Sequence, residues 1–398
     1  MSAPAPGFFD ERKEWSRWKH DILRRYLPKF AGILGSRHSV IYHVDGFAGA
    51  GTYKGDPPVP GSPLIAAELA DTIAAAQNKN YELRCINVEP LPKYFTELCQ
   101  ATSAYKPPIV SNLQGTFKDD LPQILGLAGR HPTLFFLDPF GYKGMEWDAI
   151  SQLARRSNTA KTELIISFMV TKVDRDAGWL DSYDQPASKG FVHALNDLMG
   201  TDQWQSIVQA NLPKDQRDEQ LTSLYAGNLE KAFRGIVGRY PVRTIAGQLK
   251  YYVLHVTCSE RGCREMSDVI YRVENDYTAE KEREKERKEL ELEKERLAAG
   301  MPKQLSMLDM MADPSPPDDP FAAAISQLAE DIHKLGKLFQ HMTFGAIQDR
   351  LAARWFGKAT EKHFRAACKL LISEGRIKRE EEPGKRKAID EKTELWFA

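Results

Sequence analysis

The sequence has few cysteines, no long apolar run and no excess of charge of either sign. Five cysteines in 398 residues are too few, and odd in number, for the disulfide framework of a small secreted domain. No apolar run approaches the roughly 18–20 residues that a transmembrane helix needs. Lys plus Arg (55) equals Asp plus Glu (55), so any contact with nucleic acid has to come from a local basic patch.

Several common catalytic motifs are also missing. The sequence has neither His-Glu-x-x-His nor Gly-x-Ser-x-Gly, so zinc-hydrolase and serine-hydrolase readings have no support. His255, Cys258 and Cys263 do not have the spacing of a zinc knuckle, and we expect no metal site. The first residues lack the basic and apolar regions of a signal peptide, so we expect a cytoplasmic protein.

Short apolar strands alternate with helices from residue 40 onward. This alternation predicts an α/β fold with a mostly parallel, Rossmann-like sheet and right-handed crossovers. The predicted strands are 40–45, 83–89, 108–113, 133–138 and 163–169, and the predicted helices between them are 62–77, 92–102, 118–127 and 146–155. Residues 242–246 and 249–257 predict a terminal antiparallel hairpin.

Composition divides the chain into segments. Residues 276–297 carry seven basic and nine acidic residues at helical i,i+3 and i,i+4 spacings, which predicts a solvated helix. Five prolines between residues 301 and 320 predict a linker. The predicted segments are an N-terminal helical segment 1–39 with an amphipathic helix over 10–34, an α/β domain 40–275 with a helical insertion at about 174–235, a charged helix 276–300, a linker 301–320 and a C-terminal domain 321–398.

A glycine-rich segment, Asp45-Gly46-Phe47-Ala48-Gly49-Ala50-Gly51, follows the first predicted strand directly. Glycines let a backbone turn sharply and approach a ligand closely. The segment lacks the Gly-Lys-Ser/Thr of a P-loop and the third glycine of a dinucleotide loop. It resembles the loop of S-adenosylmethionine (SAM) methyltransferases, in which an acid binds the ligand's ammonium group. The predicted SAM contacts are Asp45, Phe47, Ala48, Gly49 and Gly51; a turn that only packs a helix on the sheet is the alternative.

Two more strand ends extend the predicted cofactor site. Glu89 ends the second strand, where an acid can bind the two ribose hydroxyls of a nucleoside or simply cap the next helix. After the third strand, Gln114 and Thr116 stand where methyltransferases often have an acid that contacts adenine. We include Thr116 as a predicted adenine contact.

The motif Asp138-Pro139-Phe140-Gly141-Tyr142 follows the most apolar strand. Ligands of open α/β sheets bind at the carboxyl ends of strands near the switch in strand order, so Asp138 should face the methyl donor. Such a turn suits methylation of an amino group, because the carboxylate and a main-chain carbonyl accept its hydrogens while an aromatic ring stacks on the base. The predicted catalytic residues are Asp138, Pro139, Phe140 and Gly141, and the predicted nucleic-acid contacts are Tyr142 and Arg175. A strand-end turn with a buried Phe140 is the alternative.

Residues 8–300 resemble the three-Cys-motif partner protein family (TcmP). The resemblance rests on residues 15–26, 45–51, 61–64, 138–141 and 304–308. The family is methyltransferase-like and of the SAM-binding Rossmann type, and it is named for a neighbouring radical-SAM-like protein that carries three cysteines. The resemblance therefore implies SAM as cofactor and such a protein as partner. The order Asp-Pro-Phe-Gly is also similar to tRNA guanine-N2 dimethyltransferases, whereas adenine-N6 enzymes usually have Asp/Asn-Pro-Pro-Tyr/Phe, so the base stays open.

The C-terminal domain predicts a winged helix, with helices over 343–354 and 360–373, a strand after Gly375 and a hairpin tip at 383–386. It is similar to the winged-helix tail of TcmP proteins. Residues 362–387 contain nine Lys/Arg and four Glu, a local excess of five positive charges. The predicted phosphate contacts are Arg365, Lys369, Lys378, Lys385, Arg386 and Lys387. A winged helix that docks a protein is the alternative.

These features together indicate a SAM-dependent methyltransferase that modifies an exocyclic amine of a nucleic-acid base. Its winged helix would contact nucleic acid or a partner. Two other readings stay open. The chain could be a non-catalytic SAM-binding scaffold for a radical-SAM-type partner, or a winged-helix regulator whose Rossmann domain senses a ligand.

Overall fold

The computed structural model describes residues 14–76, 78–105, 107–182, 186–244, 247–298, 320–379 and 388–397. The chain divides into two compact units, Met1–Met266 and Ser267–Ala398. No helix among the described residues is both long and apolar enough to span a membrane.

The first unit contains a seven-stranded sheet and a small two-stranded hairpin. The strands of the sheet are β1 (Val40–Asp45), β4 (Glu82–Val88), β5 (Val110–Leu113), β6 (Thr133–Leu137), β7 (Thr162–Phe168), β8 (Ile236–Arg243) and β9 (Leu249–Thr257), and the hairpin is β2 (Thr52–Tyr53) with β3 (Val59–Pro60). The helices are α1 (Glu14–Gly35), α2 (Ser62–Ala75), α3 (Pro92–Ala101), α4 (Phe117–Ala128), α5 (Trp147–Ser157), α6 (Val170–Ala177), α7 (Pro186–Met199), α8 (Trp204–Gln209), α9 (Lys214–Phe233) and α10 (Glu260–Ala298), with a 3₁₀ turn at Gly178–Ser182.

The sheet has the strand order β5-β4-β1-β6-β7-β9-β8. The first five strands in this order are parallel, and β9 is antiparallel to both β7 and β8. This mostly parallel sheet with a terminal antiparallel hairpin confirms the Rossmann-like α/β class. After β5, at one end of the sheet, the chain crosses over to β6 on the other side of β1. The strand order therefore switches between the neighbouring strands β1 and β6, and ligands are expected at the carboxyl ends of these strands.

The apolar pattern explains the central strands. Every residue of β6 and β7 is buried, as expected where helices cover both faces of a sheet. Helix α1 buries one stripe at a spacing of four residues, formed by Trp18, Ile22, Tyr26 and Phe30.

The sequence places the five parallel strands correctly, but two elements differ from prediction. Strand β8 begins at Ile236 rather than at residue 242, because Gly238 and Pro241 interrupt its apolar pattern and an edge strand tolerates both. The charged segment predicted as a separate helix over 276–300 is the later part of α10, which begins at Glu260.

Within its described residues, the second unit contains three helices and a three-stranded antiparallel sheet in the order β10-β12-β11, besides the later part of α10. Its elements are α11 (Pro320–Phe339), β10 (His341–Thr343), α12 (Phe344–Leu351), α13 (Glu361–Ser373), β11 (Ile377–Arg379) and β12 (Glu394–Phe397). The Thr343 hydroxyl caps α12, and Thr360 with His363 forms a capping box at α13. Sequence analysis missed α11 and β10. The predicted linker up to residue 319 and the predicted hairpin tip lie outside the described residues.

His43, in the middle of β1, gives a test of this core. It is fully buried, neither ring nitrogen has a hydrogen-bond partner among the described residues, and burial lowers its pKa to about 3. The unfolded chain binds a proton near the ordinary pKa of 6.5, so this histidine makes the free energy of unfolding fall as pH drops from about 6.5 towards 3. We predict that the free energy of unfolding of His43→Leu, relative to that of wild type, rises by about 2 kcal/mol when the pH is lowered from 7 to 5. Urea denaturation at the two pH values measures it.

The matched control for this experiment is Ile41→Leu on the same strand, because Ile41 is buried and carries no titratable group. Its free energy of unfolding relative to wild type should not change with pH. A difference between His43→Leu and wild type that is the same at both pH values would contradict a buried neutral imidazole.

Candidate functional site

Three acidic residues lie together at the carboxyl edge of the sheet. Asp45 ends β1, and Glu89 and Asp138 directly follow β4 and β6, the two neighbours of β1. Asp138 and Glu89 both act electrostatically on Asp45. The fold therefore brings together three of the site residues that the sequence predicts.

Asp45 is fully buried beneath the glycine segment. Burial raises the pKa of its carboxyl to about 7, nearby Asp138 and Glu89 add to this, and hydrogen bonds from Ser62 and from the Phe47 N–H oppose it. The N–H of Phe47 donates to Asp45 Oδ1 at 3.1 Å. A buried carboxyl with so high a pKa favours a cationic ligand, because a nearby positive charge stabilises its ionised form.

The glycine loop needs its glycines. Gly49 and Gly51 have φ values of 60° and 79°, in the left-handed region that favours glycine. A Cβ on Gly51 would lie 3.2 Å from Leu98 Cδ1, so the loop packs tightly on α3. The neighbouring N–H of Ala48, a buried residue, donates to the carbonyl of Val88 at 2.9 Å. The loop is thereby joined to the end of β4.

Glu89 links the glycine loop to the start of α3. Its Oε2 accepts the N–H of Gly49 at 3.0 Å, and its Oε1 accepts the N–H of Leu91 at 2.8 Å. Burial raises the pKa of Glu89, and these two hydrogen bonds oppose the shift. Each carboxylate oxygen has a second lone pair, so these two hydrogen bonds leave acceptors for a ribose hydroxyl.

The other two predicted cofactor contacts have structural partners. Thr116 caps α4, with its hydroxyl accepting the N–H of Asp119 at 3.2 Å and donating to Asp119 Oδ2 at 2.6 Å. This gives the Thr116 hydroxyl a structural role and no support for an adenine contact. Phe47 is half-buried, and its ring centroid lies 6.1 Å from that of Phe117.

Lys19, which sequence analysis did not single out, forms an ion pair with Asp138. Its ammonium donates to Oδ1 at 2.6 Å and more closely to Oδ2. The side chains are only 11% and 21% exposed, and the Tyr251 ring centroid lies 5.2 Å from Lys19 Nζ. A signal was present in the sequence, because position 19 lies at helical spacing from Ile22 and Tyr26, on the apolar face of α1. A charged residue on a buried stripe calls for a partner.

The rest of the motif after β6 forms a turn against α6. Gly141 has φ 145°, and a Cβ there would lie 2.9 Å from Lys172 Cε. Pro139 is buried, whereas Phe140 is 45% exposed. Tyr142, a predicted nucleic-acid contact, is buried, and its hydroxyl donates to Asp176 Oδ2 at 2.9 Å, which gives this side chain a structural partner.

The predicted phosphate contacts are only partly described. Arg175 on α6 is exposed and pairs with Asp176 at 3.3 Å. In the second unit, Arg365 pairs with Glu361, and Lys369 and Lys378 are exposed. Lys385, Arg386 and Lys387 lie outside the described residues.

A cavity of about 310 Å³ lies at the opposite edge of the sheet, beside the start of β7 and the end of β9. Glu163 lines it and accepts hydrogen bonds from Tyr26 at 2.5 Å and Thr257 at 2.7 Å, with His255 Nε2 at 3.2 Å. Burial acts to raise the pKa of Glu163, but these partners hold it below its usual value. No predicted cofactor or catalytic residue lines this cavity. Within the described ranges, no group of three His, Cys, Asp or Glu side chains is placed to hold a metal ion.

No protein-family model matches the sequence, and no curated protein matches it. Solved structures with similar folds include a DUF519 protein from Legionella pneumophila, with 13% identity, a TM-score of 0.36 and coverage of 64% of this chain and 86% of that one. An O-methyltransferase from Bacillus cereus in complex with SAH has 12% identity, a TM-score of 0.32 and coverage of 64% and 84%. The O-methyltransferase TomG from Streptomyces achromogenes in complex with SAM has 12% identity, a TM-score of 0.29 and coverage of 64% and 93%. These identities and TM-scores are too low to transfer an activity.

The ion pair between Lys19 and Asp138 can be measured independently of any activity. We predict a coupling energy of about 1–3 kcal/mol in a double-mutant cycle that combines Lys19→Met with Asp138→Asn, because both groups are largely removed from water. Urea denaturation of the full-length protein gives the four free energies of unfolding.

The control cycle combines Arg17→Gln with Asp21→Asn, two residues that flank Lys19 on the same helix. This pair is longer, at 3.7 Å, and more exposed, so its coupling should stay below about 0.5 kcal/mol. Equal coupling in the two cycles would show that the Lys19 pair is an ordinary surface contact.

Proposed function

We propose that the protein is a SAM-dependent methyltransferase that modifies an exocyclic amine of a nucleic-acid base. One observation carries the proposal. Asp45, Glu89 and Asp138 lie at three adjacent strand ends, around a loop with two left-handed glycines, at the switch point of the sheet. Ligands of open α/β sheets bind at this position.

The residues at this edge suit SAM, which carries an ammonium group, a sulfonium, a carboxylate and a ribose. Burial raises the pKa of Asp45 to about 7, and the ammonium group of SAM would stabilise the ionised form of this carboxyl. Gly49 and Gly51 allow the backbone to approach the methionine part closely. Glu89 keeps lone pairs for the ribose hydroxyls. Bound SAM supplies an electrophilic methyl group.

The turn after β6 suits the methyl acceptor. Asp138 lies beside the cofactor residues and keeps lone pairs for the N–H of an amine. Phe140 is the exposed aromatic residue of the same turn, and an aromatic face at this position can stack on a base. Holding the amine in line with the methyl group is the main contribution that these residues make.

The second unit suits contact with nucleic acid. After α10, its order is helix, strand, helix, helix, strand, strand, with the three strands in one antiparallel sheet, and this order supports a winged helix. Lys369 on α13 and Lys378 on β11 are exposed. The resemblance to TcmP proteins adds a radical-SAM-like three-Cys-motif protein as a proposed partner.

Calorimetric titration with SAM tests the cofactor part of the proposal. We predict that the full-length protein binds SAM and that Gly49→Val abolishes binding, because a branched side chain would occupy the space of the ligand and strain the left-handed backbone. The control is Gly129→Val, since Gly129 also has a positive φ (49°) and has open space around it at the end of α4. This control should bind SAM as wild type does.

Two outcomes would contradict this reading. A Gly49→Val protein that folds and binds SAM normally would show that the loop assignment is wrong. A wild-type protein that does not bind SAM would remove the enzyme and leave the regulator that senses another ligand.

The salt dependence of nucleic-acid binding tests the α13–β11 face of the second unit, which carries the exposed residues Lys369 and Lys378. We predict that Lys369→Gln combined with Lys378→Gln lowers the salt slope of single-stranded nucleic-acid binding by about 1.4, which is roughly 0.7 for each lost phosphate contact. The control combines Lys285→Gln with Lys288→Gln on α10, which remove the same charge from exposed positions. Equal slopes for the two double variants would show that the α13–β11 face makes no specific phosphate contact.

A further inference from the structure

Lys19 changes what Asp138 can recognise. Its ammonium donates to both oxygens of Asp138. An ammonium has three N–H donors, and a carboxylate has about four lone-pair positions. Among the described contacts, the ion pair therefore uses two of the three N–H donors of Lys19 and leaves further acceptor positions on Asp138.

The surroundings of the ion pair restrict both of its side chains. Both side chains are mostly buried, and Lys19 Nζ lies over the ring of Tyr251. Helix α1 is itself held further along, where the Tyr26 hydroxyl donates to Glu163 at 2.5 Å. A donor and an acceptor in fixed positions can discriminate between substrates, because a mismatched group leaves one of them unpaired away from water.

The bases differ in the hydrogen-bonding group that they present next to the exocyclic amine. Enzymes that act on flipped-out bases read them along the Watson–Crick edge. On that edge adenine and cytosine each present an amine donor beside a ring nitrogen that accepts a hydrogen bond. Guanine presents its amine beside a ring N–H, which makes two donors. Two donors suit a carboxylate alone and conflict with the ammonium of Lys19.

We infer that the methyl acceptor is an exocyclic amine whose neighbour on the Watson–Crick edge is an accepting ring nitrogen, as in adenine or cytosine, and that Lys19 donates a hydrogen bond to this nitrogen. The inference rests on the proposed function and decides against guanine N2. Asp138 accepts an amine N–H while Lys19 donates to the ring nitrogen. The amine nitrogen gives its lone pair to the methyl carbon, the carbon–sulfur electron pair stays on sulfur, and the amine proton passes to solvent.

The test uses full-length protein, SAM and single-stranded oligothymidylate or oligouridylate in which one position carries adenine, cytosine or guanine. Mass spectrometry identifies the methylated nucleoside. We expect N6-methyladenine or N4-methylcytosine, at a rate at least about 100-fold above that for guanine N2. The product itself decides between the two bases that share this edge. Asp138→Ala should bind SAM and lose methyl transfer to all of them.

A base analogue isolates the role of Lys19. Replacing the ring nitrogen by C–H, in 1-deazaadenine or 3-deazacytosine, should lower the rate of methyl transfer by the wild-type protein about 10- to 100-fold. Lys19→Met should slow methylation of the natural base by a similar factor and slow the analogue no further, with SAM affinity retained. The control is Lys29→Met on the same helix, which breaks the 2.5 Å pair with Glu265 and should leave the ratio of natural base to analogue unchanged.

The outcomes separate the two levels of the proposal. Guanine N2 methylation at a comparable rate, or equal wild-type rates on natural base and analogue, overturns the inference and leaves the methyltransferase. If Lys19→Met lowers the methylation rates of the natural base and of the analogue by the same factor, the inference is also overturned, because Lys19 would then act only on Asp138. SAM binding without methyl transfer to any oligomer overturns both the inference and the proposed activity, and favours the scaffold.

Discussion

The burial of α1 along the sheet is the constraint on which both edges of the first unit depend. Its apolar stripe, from Trp18 to Phe30, removes four large side chains from water, and each such burial contributes roughly 1.5–3 kcal/mol. Its polar groups then meet partners at the two ends of the strands. Tyr26 donates to Glu163 at one edge, and Lys19 pairs with Asp138 at the other. A helix that precedes the α/β fold in sequence is therefore part of the candidate site.

Electrostatics at the carboxyl edge depend on that helix. Burial is the main cause of the raised pKa of Asp45, and the nearby carboxyl groups of Asp138 and Glu89 add to it. Lys19 compensates one of the three charges, and backbone N–H groups hold Glu89. Among the described residues no cationic side chain is recorded in an ion pair with Asp45, which is fully buried. The edge as a whole thus favours a positively charged ligand next to Asp45, as the proposed cofactor would be.

Residues that act locally are the ones that the sequence reveals. The parallel strands, the glycine loop and the acids at strand ends each depend on neighbours in the chain, so periodicity and turn chemistry predict them. The predicted start of strand β8, residue 242, lies six residues after its actual start at Ile236, because Gly238 and Pro241 interrupt the apolar pattern of this edge strand. Tyr142 was assigned to nucleic acid because nothing local shows that Asp176 receives its hydroxyl. The ion pair of Lys19 was missed because its partner lies 119 residues away.

The missed residue also bears most directly on specificity. A turn of the type Asp-Pro-Phe-Gly places a carboxylate, and a carboxylate alone accepts the amine hydrogens of any base. Discrimination needs a second group with the opposite hydrogen-bonding sense at a fixed distance, since a mismatch then leaves a partner unpaired away from water. In the proposed reaction Lys19 is such a group, and α1 places it beside Asp138 by burial on the sheet rather than by proximity in sequence. The proposal therefore assigns the choice of base to the helix that covers the sheet and not to the turn alone.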